Sequence, residues 1–321
     1  METALRAPKD GVYVSLDELV YLRAAGSGIH FLPRQPIHSL LSGRHASRLR
    51  GRGLMFEEMR AYVPGDDIRT MDWKATARTQ SPFVRVYNEE RDRSVLLVVD
   101  QSISMFFGSR ENLKSVTAAH AAALAAWRAV HVGDRVGALI YDDTAHVYIK
   151  PDRSNRNVMA ILGEVQRFNH RLDAEESGAS DPGALDRALA SIMAMTHHDV
   201  LVVVISDFEG AGPDTRERIT RLRRHNDVLA VAVKDPVENR LPDVGELIIS
   251  NGAMQISVDT ASADVRGSYE EHAREEKARI ENISMLYDVP CLFLSTHGDV
   301  ATQVRGALHG ALGQMKKTRR L

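Results

Sequence analysis

The 321-residue sequence predicts an α/β protein built on a mainly parallel sheet with helices on both faces. Three observations carry that prediction. From Ser94 onward, short Val/Leu-rich runs bounded by polar residues alternate with helical patterns. The runs lack polar alternation, as strands covered on both faces do. Two of them, SVLLVVD and HDVLVVVISD, end on an acid, Asp100 and Asp207. In open sheets of this kind, sites form beyond the carboxyl ends of the strands, where the strand order reverses.

Taken in order, SLDELVYLRAA reads as a short helix. RQPIHSLLSGRHASRLRGRGL then carries Arg44, Arg48, Arg50 and Arg52 without a single acid. The next forty residues crowd both charges around a few large apolar side chains. Residues 1–93 are therefore expected to form an N-terminal arm without a core of its own, packed on the α/β domain of residues 94–321, with FVRVYNE as an edge strand. Within that domain, the Ala-rich NLKSVTAAHAAALAAWRAVHVG predicts a helix closed by Gly133. DRVGALIYDDTAHVYIKP predicts two strands around a turn at Asp142-Asp143, and SNRNVMAILGEVQRF a helix capped by Ser154. The helices ALDRALASIMAM and DTRERITRLRRH, the strand DVLAVAVKDP and a hairpin near 246–258 turning at Asn251-Gly252 follow. The helix SYEEHAREEKARIENISMLY and the strand CLFLS complete the set.

Composition narrows the function. A net charge of -2 argues against a chain that coats nucleic acid. Cys291 is the only cysteine, so an internal disulfide and a cysteine-based zinc site are excluded, and a reducing, cytoplasmic setting is expected. No stretch approaches the roughly 20 apolar residues of a membrane helix.

Asp100, Ser102 and Ser104 at one strand end admit three chemistries. A serine nucleophile of the α/β-hydrolase type needs Gly-x-Ser-x-Gly, whereas Ser102 lies between Gln101 and Ile103. An aspartate nucleophile for phosphoryl transfer would have an acid at position 102. A metal cradle suits the cluster better, because a hard divalent ion takes oxygen ligands and needs nearby negative charge, which Asp100 and Asp207 supply. The competing structural use is local: Asp100 capping the next turn while the serines bond backbone.

Asp100-x-Ser102-x-Ser104 resembles the metal-ion-dependent adhesion site of von Willebrand factor A domains. The resemblance implies a Rossmann-like, doubly wound fold and further ligands from two other loops. Ser180, in GASDPGALDRAL, stands where that family has threonine, and Asp207 matches the third-loop aspartate. The implied cofactor is Mg2+, or Mn2+ or Ca2+. Upstream, the chain carries Pro64-Gly65-Asp66-Asp67, Arg69, Asp72-Trp73, Ala77-Arg78-Thr79 and Glu89-Glu90-Arg91-Asp92. This string is similar to the signature of the domain of unknown function 58 family. By charge, Asp66, Asp67, Asp72 and Glu89 are expected to pair with Arg69, Arg78, Arg85 and Arg91 over a buried Trp73, a network that holds the arm. The family resemblance implies a non-enzymatic, protein-binding adaptor or co-chaperone of a MoxR-type AAA+ ATPase, whose carboxylate would complete the ion's coordination. A metal-dependent phosphoesterase and a scaffold with an empty site stay open as alternatives.

Overall fold

The computed structural model of the chain describes residues 11–26, 54–64, 66–89, 94–173, 180–196, 198–250, 255–287 and 289–307. The chain divides into two compact units, residues 1–36 with 93–321, and residues 37–92. The division differs from the one expected at residue 93. Helix α1 (Leu16–Gly26) belongs to the larger unit, where Leu19 is fully buried and its carbonyl accepts the Trp127 indole N–H at 3.0 Å.

The smaller unit is a hairpin with a helical connection. Strands β1 (Leu54–Ala61) and β2 (Phe83–Glu89) pair antiparallel, with a register shift between Phe56 and Glu58. FVRVYNE thus finds its partner in LMFEEMRA, a run whose adjacent glutamates hide its strand character. Between the strands lie a 3-10 turn (Ile68–Thr70) and the short helix α2 (Trp73–Thr79). Ala75 and Val84 are the buried apolar residues among the described side chains of this unit.

The larger unit centres on one six-stranded sheet. Strand β3 (Ser94–Asp100) is followed by α3 (Lys114–His131), β4 (Arg135–Tyr141), β5 (His146–Asp152), α4 (Asn155–Asn169) and α5 (Ala184–Met195). Then come β6 (Val200–Ser206), α6 (Pro213–Arg223), β7 (Asp227–Lys234), the single turn α7 (Pro236–Asn239), the hairpin β8 (Glu246–Ser250) and β9 (Gln255–Asp259), α8 (Ala263–Tyr287) and β10 (Cys291–Ser295). The expected turn at Asn251-Gly252 lies outside the described residues. The strand order is β10-β7-β6-β3-β4-β5, parallel except for β5, which runs back along β4. This is the doubly wound class expected from the sequence.

Alternation along β3 builds two cores. Val95, Leu97 and Val99 face α3, α4 and α1, while Leu96 and Val98 face α5 and α6. Fifteen of the 18 residues of α3 are buried, and its alanines are the reason they can be: small side chains let the helix sit between sheet and neighbouring helices. At its start, segment 11–14 is stitched to this body. The Leu113 N–H donates to the Gly11 carbonyl at 2.8 Å, and the Val14 N–H donates to Asn169 Oδ1 at 2.9 Å. No described helix is long and apolar enough to cross a membrane.

Candidate functional site

The sheet order reverses between β3 and β6. The chain leaves β3 for β4 and β5 on one side and returns on the other with β6, β7 and β10. The carboxyl ends of β3 and β6 therefore flank the crevice where such sheets place their sites. Val99 lies opposite Ile205, which puts Asp100 beside Ser206 and one residue short of Asp207.

Asp100 is 3% exposed, yet all its acceptor positions face donors. Oδ1 accepts from the Ser102 N–H (2.9 Å) and the Ser102 hydroxyl (2.6 Å). Oδ2 accepts from the Tyr141 hydroxyl (2.8 Å) and the Ser206 hydroxyl (2.7 Å). Burial, and then the charge of Asp207, push its pKa up to about 6 against the pull of the Ser102 and Ser206 hydrogen bonds. Ser102 Oγ and Ser104 Oγ are 3.1 Å apart. Since a hydroxyl has one proton and that of Ser102 goes to Asp100, its remaining lone pairs face away from the carboxylate. Two oxygens about 3.0 Å apart span one edge of an octahedron with ligands at about 2.1 Å, the geometry magnesium demands. The hydroxyl pair fits a small hard cation by its spacing, although among the described residues no group of three or more His, Cys, Asp or Glu side chains is placed to hold a metal ion.

The second loop is held to the first by a residue that the sequence placed only in a turn. Asp143, at the β4–β5 turn, accepts the Ile103 N–H on Oδ2 (2.7 Å) and the Asp181 N–H on Oδ1 (2.8 Å). One carboxylate therefore clamps the residue between the two serines to the residue after Ser180, which is itself half-buried. Arg187 braces the clamp from α5, bonding Asp181 Oδ2 and the Asp143 carbonyl. The third loop closes against the second at Gly210. Gly210 adopts a left-handed backbone (φ 72°), and a Cβ there would lie 2.7 Å from the Pro182 carbonyl oxygen. A Gly210→Ala chain is expected to lose about 2 kcal/mol of stability, measured by denaturant unfolding, because both the backbone conformation and the space are denied.

Asp207 is 1% exposed and does not stand free. Lys114, in the first turn of α3, donates to Asp207 Oδ2 at 2.7 Å and to Glu238 Oε1 at 2.6 Å. Burial would raise the Asp207 pKa, but the charge and hydrogen bond of Lys114 outweigh it and hold that pKa below the ordinary value. Burial likewise lowers the Lys114 pKa, and the charges of Asp207 and Glu238 outweigh it, leaving that pKa raised. Glu238 is fixed in turn by α7, where its Oε2 accepts the Asp235 N–H. Asp235 is fully buried and accepts from Ser109 N–H, Ser109 Oγ, Val237 N–H and Thr296 Oγ1. The sequence signal that points to Lys114 is its place in a helix's first turn, where a cation opposes the helix dipole.

In the smaller unit, the signature residues keep one pair of the expected network, Asp72 with Arg85, and are otherwise arranged differently. Asp66 pairs with Arg60 (2.7 Å), not Arg69, and accepts the Val63 N–H. Asp67 caps the 3-10 turn by accepting the Arg69 N–H. Asp72 caps α2 through the Lys74 and Ala75 N–H groups and pairs with Arg85 at 2.8 Å, which together hold its pKa down. Arg69 and Arg78 lie exposed. Trp73, expected beneath the network, is 69% exposed, because it opens a short helix whose inward position is taken by Ala75. Gly65, Glu90, Arg91 and the basic stretch 44–52 lie outside the described residues.

A hydroxyl-and-carboxylate cluster at the switch point of a doubly wound, mainly parallel sheet defines the chain as an α/β protein of that fold class. Within that class, it belongs to the family described as Protein of unknown function DUF58, which matches residues 58–279. Uncharacterized protein Rv1480 of Mycobacterium tuberculosis is 30% identical over 301 residues, covering 90% of this chain and 92% of the relative. Uncharacterized protein MAV169 of Mycobacterium avium is 27% identical over 138 residues, 40% of this chain and 80% of its own. Among solved structures, the conserved hypothetical protein BatB from Bacteroides thetaiotaomicron aligns with a TM-score of 0.39 at 13% identity, covering 70% of this chain and 99% of its own. The SpRpn10 VWA domain aligns with a TM-score of 0.34 at 6% identity, covering 67% and 94%.

Proposed function

We propose that the chain is a cytoplasmic, non-enzymatic protein-binding module that recognises a partner carboxylate through a divalent cation, Mg2+, Mn2+ or Ca2+. Ser102, Ser104 and Ser180 would hold the ion by their hydroxyls, and Asp100 and Asp207 would supply negative charge through water, or directly once one of their present hydrogen bonds is exchanged. The observation that carries this reading is the 3.1 Å serine pair, with the Ser102 proton committed to Asp100. When bound, the ion supplies an electrophilic position for an incoming carboxylate. The protein's own groups do the rest. Asp100 orients the Ser102 hydroxyl, Asp143 keeps the loops in register, and Tyr141 and Ser206 keep Asp100 from turning away. Binding rather than turnover is favoured because the two strand-end acids are occupied: Asp100 faces four donors and Asp207 is paired with Lys114, so neither is free to act as a general base. The family resemblance supports a MoxR-type AAA+ ATPase as the partner.

Calorimetric titration with Mn2+ tests the site. The unaltered chain is expected to bind one ion, and the Ser102→Ala/Ser104→Ala chain to bind at least about tenfold more weakly. Co-purification with a MoxR-type ATPase is expected in Mg2+ and to fail in chelator. Association indifferent to chelator would remove the coordination reading.

A further inference from the structure

Among the described residues, Lys114 is the fully buried cation beside these acids, with Lys234 half-buried nearby, and nothing in the proposed binding reaction uses it. It is 3% exposed, its ammonium bridges Asp207 and Glu238, and its Nζ lies 5.7 Å from the Phe107 ring centroid. Its position at a helix N-terminus costs electrostatic energy, so helix stability does not explain it. The acids do. Asp100 and Asp207 stand at the ends of neighbouring strands, both buried, so two carboxylates share a site with little access to water. Without a nearby positive charge, a buried carboxylate is expensive to keep ionised.

We propose that Lys114 is a built-in counter-cation: by holding Asp207 it supplies part of the charge a divalent ion would bring, so the chain folds without the ion and binds it loosely enough to exchange. The inference rests on the reading of Ser102 and Ser104 as a cation site. Both cations draw on Asp207, and the Oδ2 atom bonded to Lys114 is not available to an ion or to an ion-bound water while that bond lasts. Glu238 gives Lys114 a second anchor, which keeps the ammonium in place when Asp207 shifts toward an ion. Lys114 is therefore a positioning residue that sets how tightly the ion is held.

The test compares the full unaltered chain with K114M, which keeps the apolar stem and removes the charge. Melting is followed by near-UV circular dichroism in chelator and in Mg2+, and Mg2+ binding by calorimetry. The unaltered chain is expected to melt at nearly the same temperature in both. K114M is expected to melt about 10 °C lower in chelator, to recover at least half of that in Mg2+, and to bind Mg2+ about tenfold or more tightly. Adding Asp207→Asn to K114M should abolish the ion-dependent recovery and restore much of the chelator stability, since the uncompensated charge is then gone. Should K114M not fold in chelator, its refolding yield with and without Mg2+ reads the same dependence.

K114M binding Mg2+ no more tightly than the unaltered chain, or a melting loss that Mg2+ does not touch, overturns the counter-cation role while leaving the cation site standing. Absence of binding in both chains overturns the cation site and the inference with it. Binding in K114M alone supports the inference and overturns ion-dependent partner recognition by the unaltered chain.

Discussion

An Asp100→Ala chain is expected to lose all chelator-sensitive partner binding and to be destabilised by about 3–4 kcal/mol in denaturant unfolding. The substitution removes the acceptor for Ser102 N–H, Ser102 Oγ, Tyr141 OH and Ser206 Oγ together. The hydroxyls can rotate toward other acceptors, but the backbone N–H cannot, and each buried donor left unpaired costs about 1–3 kcal/mol. Asp100→Asn separates shape from charge. Because the Asp100 pKa is raised to about 6 in the folded chain, the folded state holds a proton that the unfolded state releases. The stability this contributes is fully present below about pH 4 and is lost as pH rises through about 6. In chelator, Asp100→Asn should therefore improve relative to the unaltered chain between pH 4 and pH 7. A stability difference flat across that window would mean Asp100 stays ionised throughout.

Asp235→Ala is expected to cost about 3–5 kcal/mol and to weaken ion binding as well. Asp235 ties three parts of the chain to the end of β7: Ser109 from the loop before α3, Val237 in α7 and Thr296 after β10. Its side chain also accepts the Val237 N–H and so fixes the turn α7 that carries Glu238, the second anchor of Lys114. Hydrogen bonds to a charged acceptor are the stronger kind, and a buried network missing one member leaves several groups unpaired. Burial raises the Asp235 pKa, but the bonds from Ser109, Thr296 and Val237 outweigh it and leave it lowered. Its contribution is thus complete above the unfolded carboxylate range near pH 4 and is lost as pH falls through the folded value. The gap between Asp235→Ala and the unaltered chain should narrow in acid, and an unchanged gap there would show that the carboxylate's charge is not what the network uses.

What could be read from the residues was the part governed by local pattern. The apolar runs ending at Asp100 and Asp207 gave both strand ends, and their alternation with helices placed them on neighbouring strands of a doubly wound sheet. Ser154 caps α4 as its position indicated, accepting the Asn157 N–H. The contacts that were not legible join residues far apart in the chain. Lys114 meets Asp207 across 93 positions, Asp143 meets Ile103 across 40, and Ser206 meets Asp100 across 106. No periodicity encodes such meetings. The register does, since Asp100 lies directly opposite Tyr141, but register follows from the fold. In residues 54–89 the failure was of another kind. The Asp72–Arg85 pair falls within the expected set, but Asp66 takes Arg60 from the hairpin strand beside it, while Arg69 and Arg78 lie exposed.

Gln101, the residue between Asp100 and Ser102, has so far looked like a spacer. Its amide nitrogen donates to the Ser115 carbonyl and its amide oxygen accepts from Asn169, whose own oxygen takes the Val14 N–H. The strand end that carries the serines and the first described turn of the chain are thus rungs of one ladder, with α3 and α4 as its rails. Detaching the segment around Val14 would strip a rung and release Asn169 from its bond to that segment, and is expected to loosen the hold on Gln101 beside the oxygens at the sheet's rim.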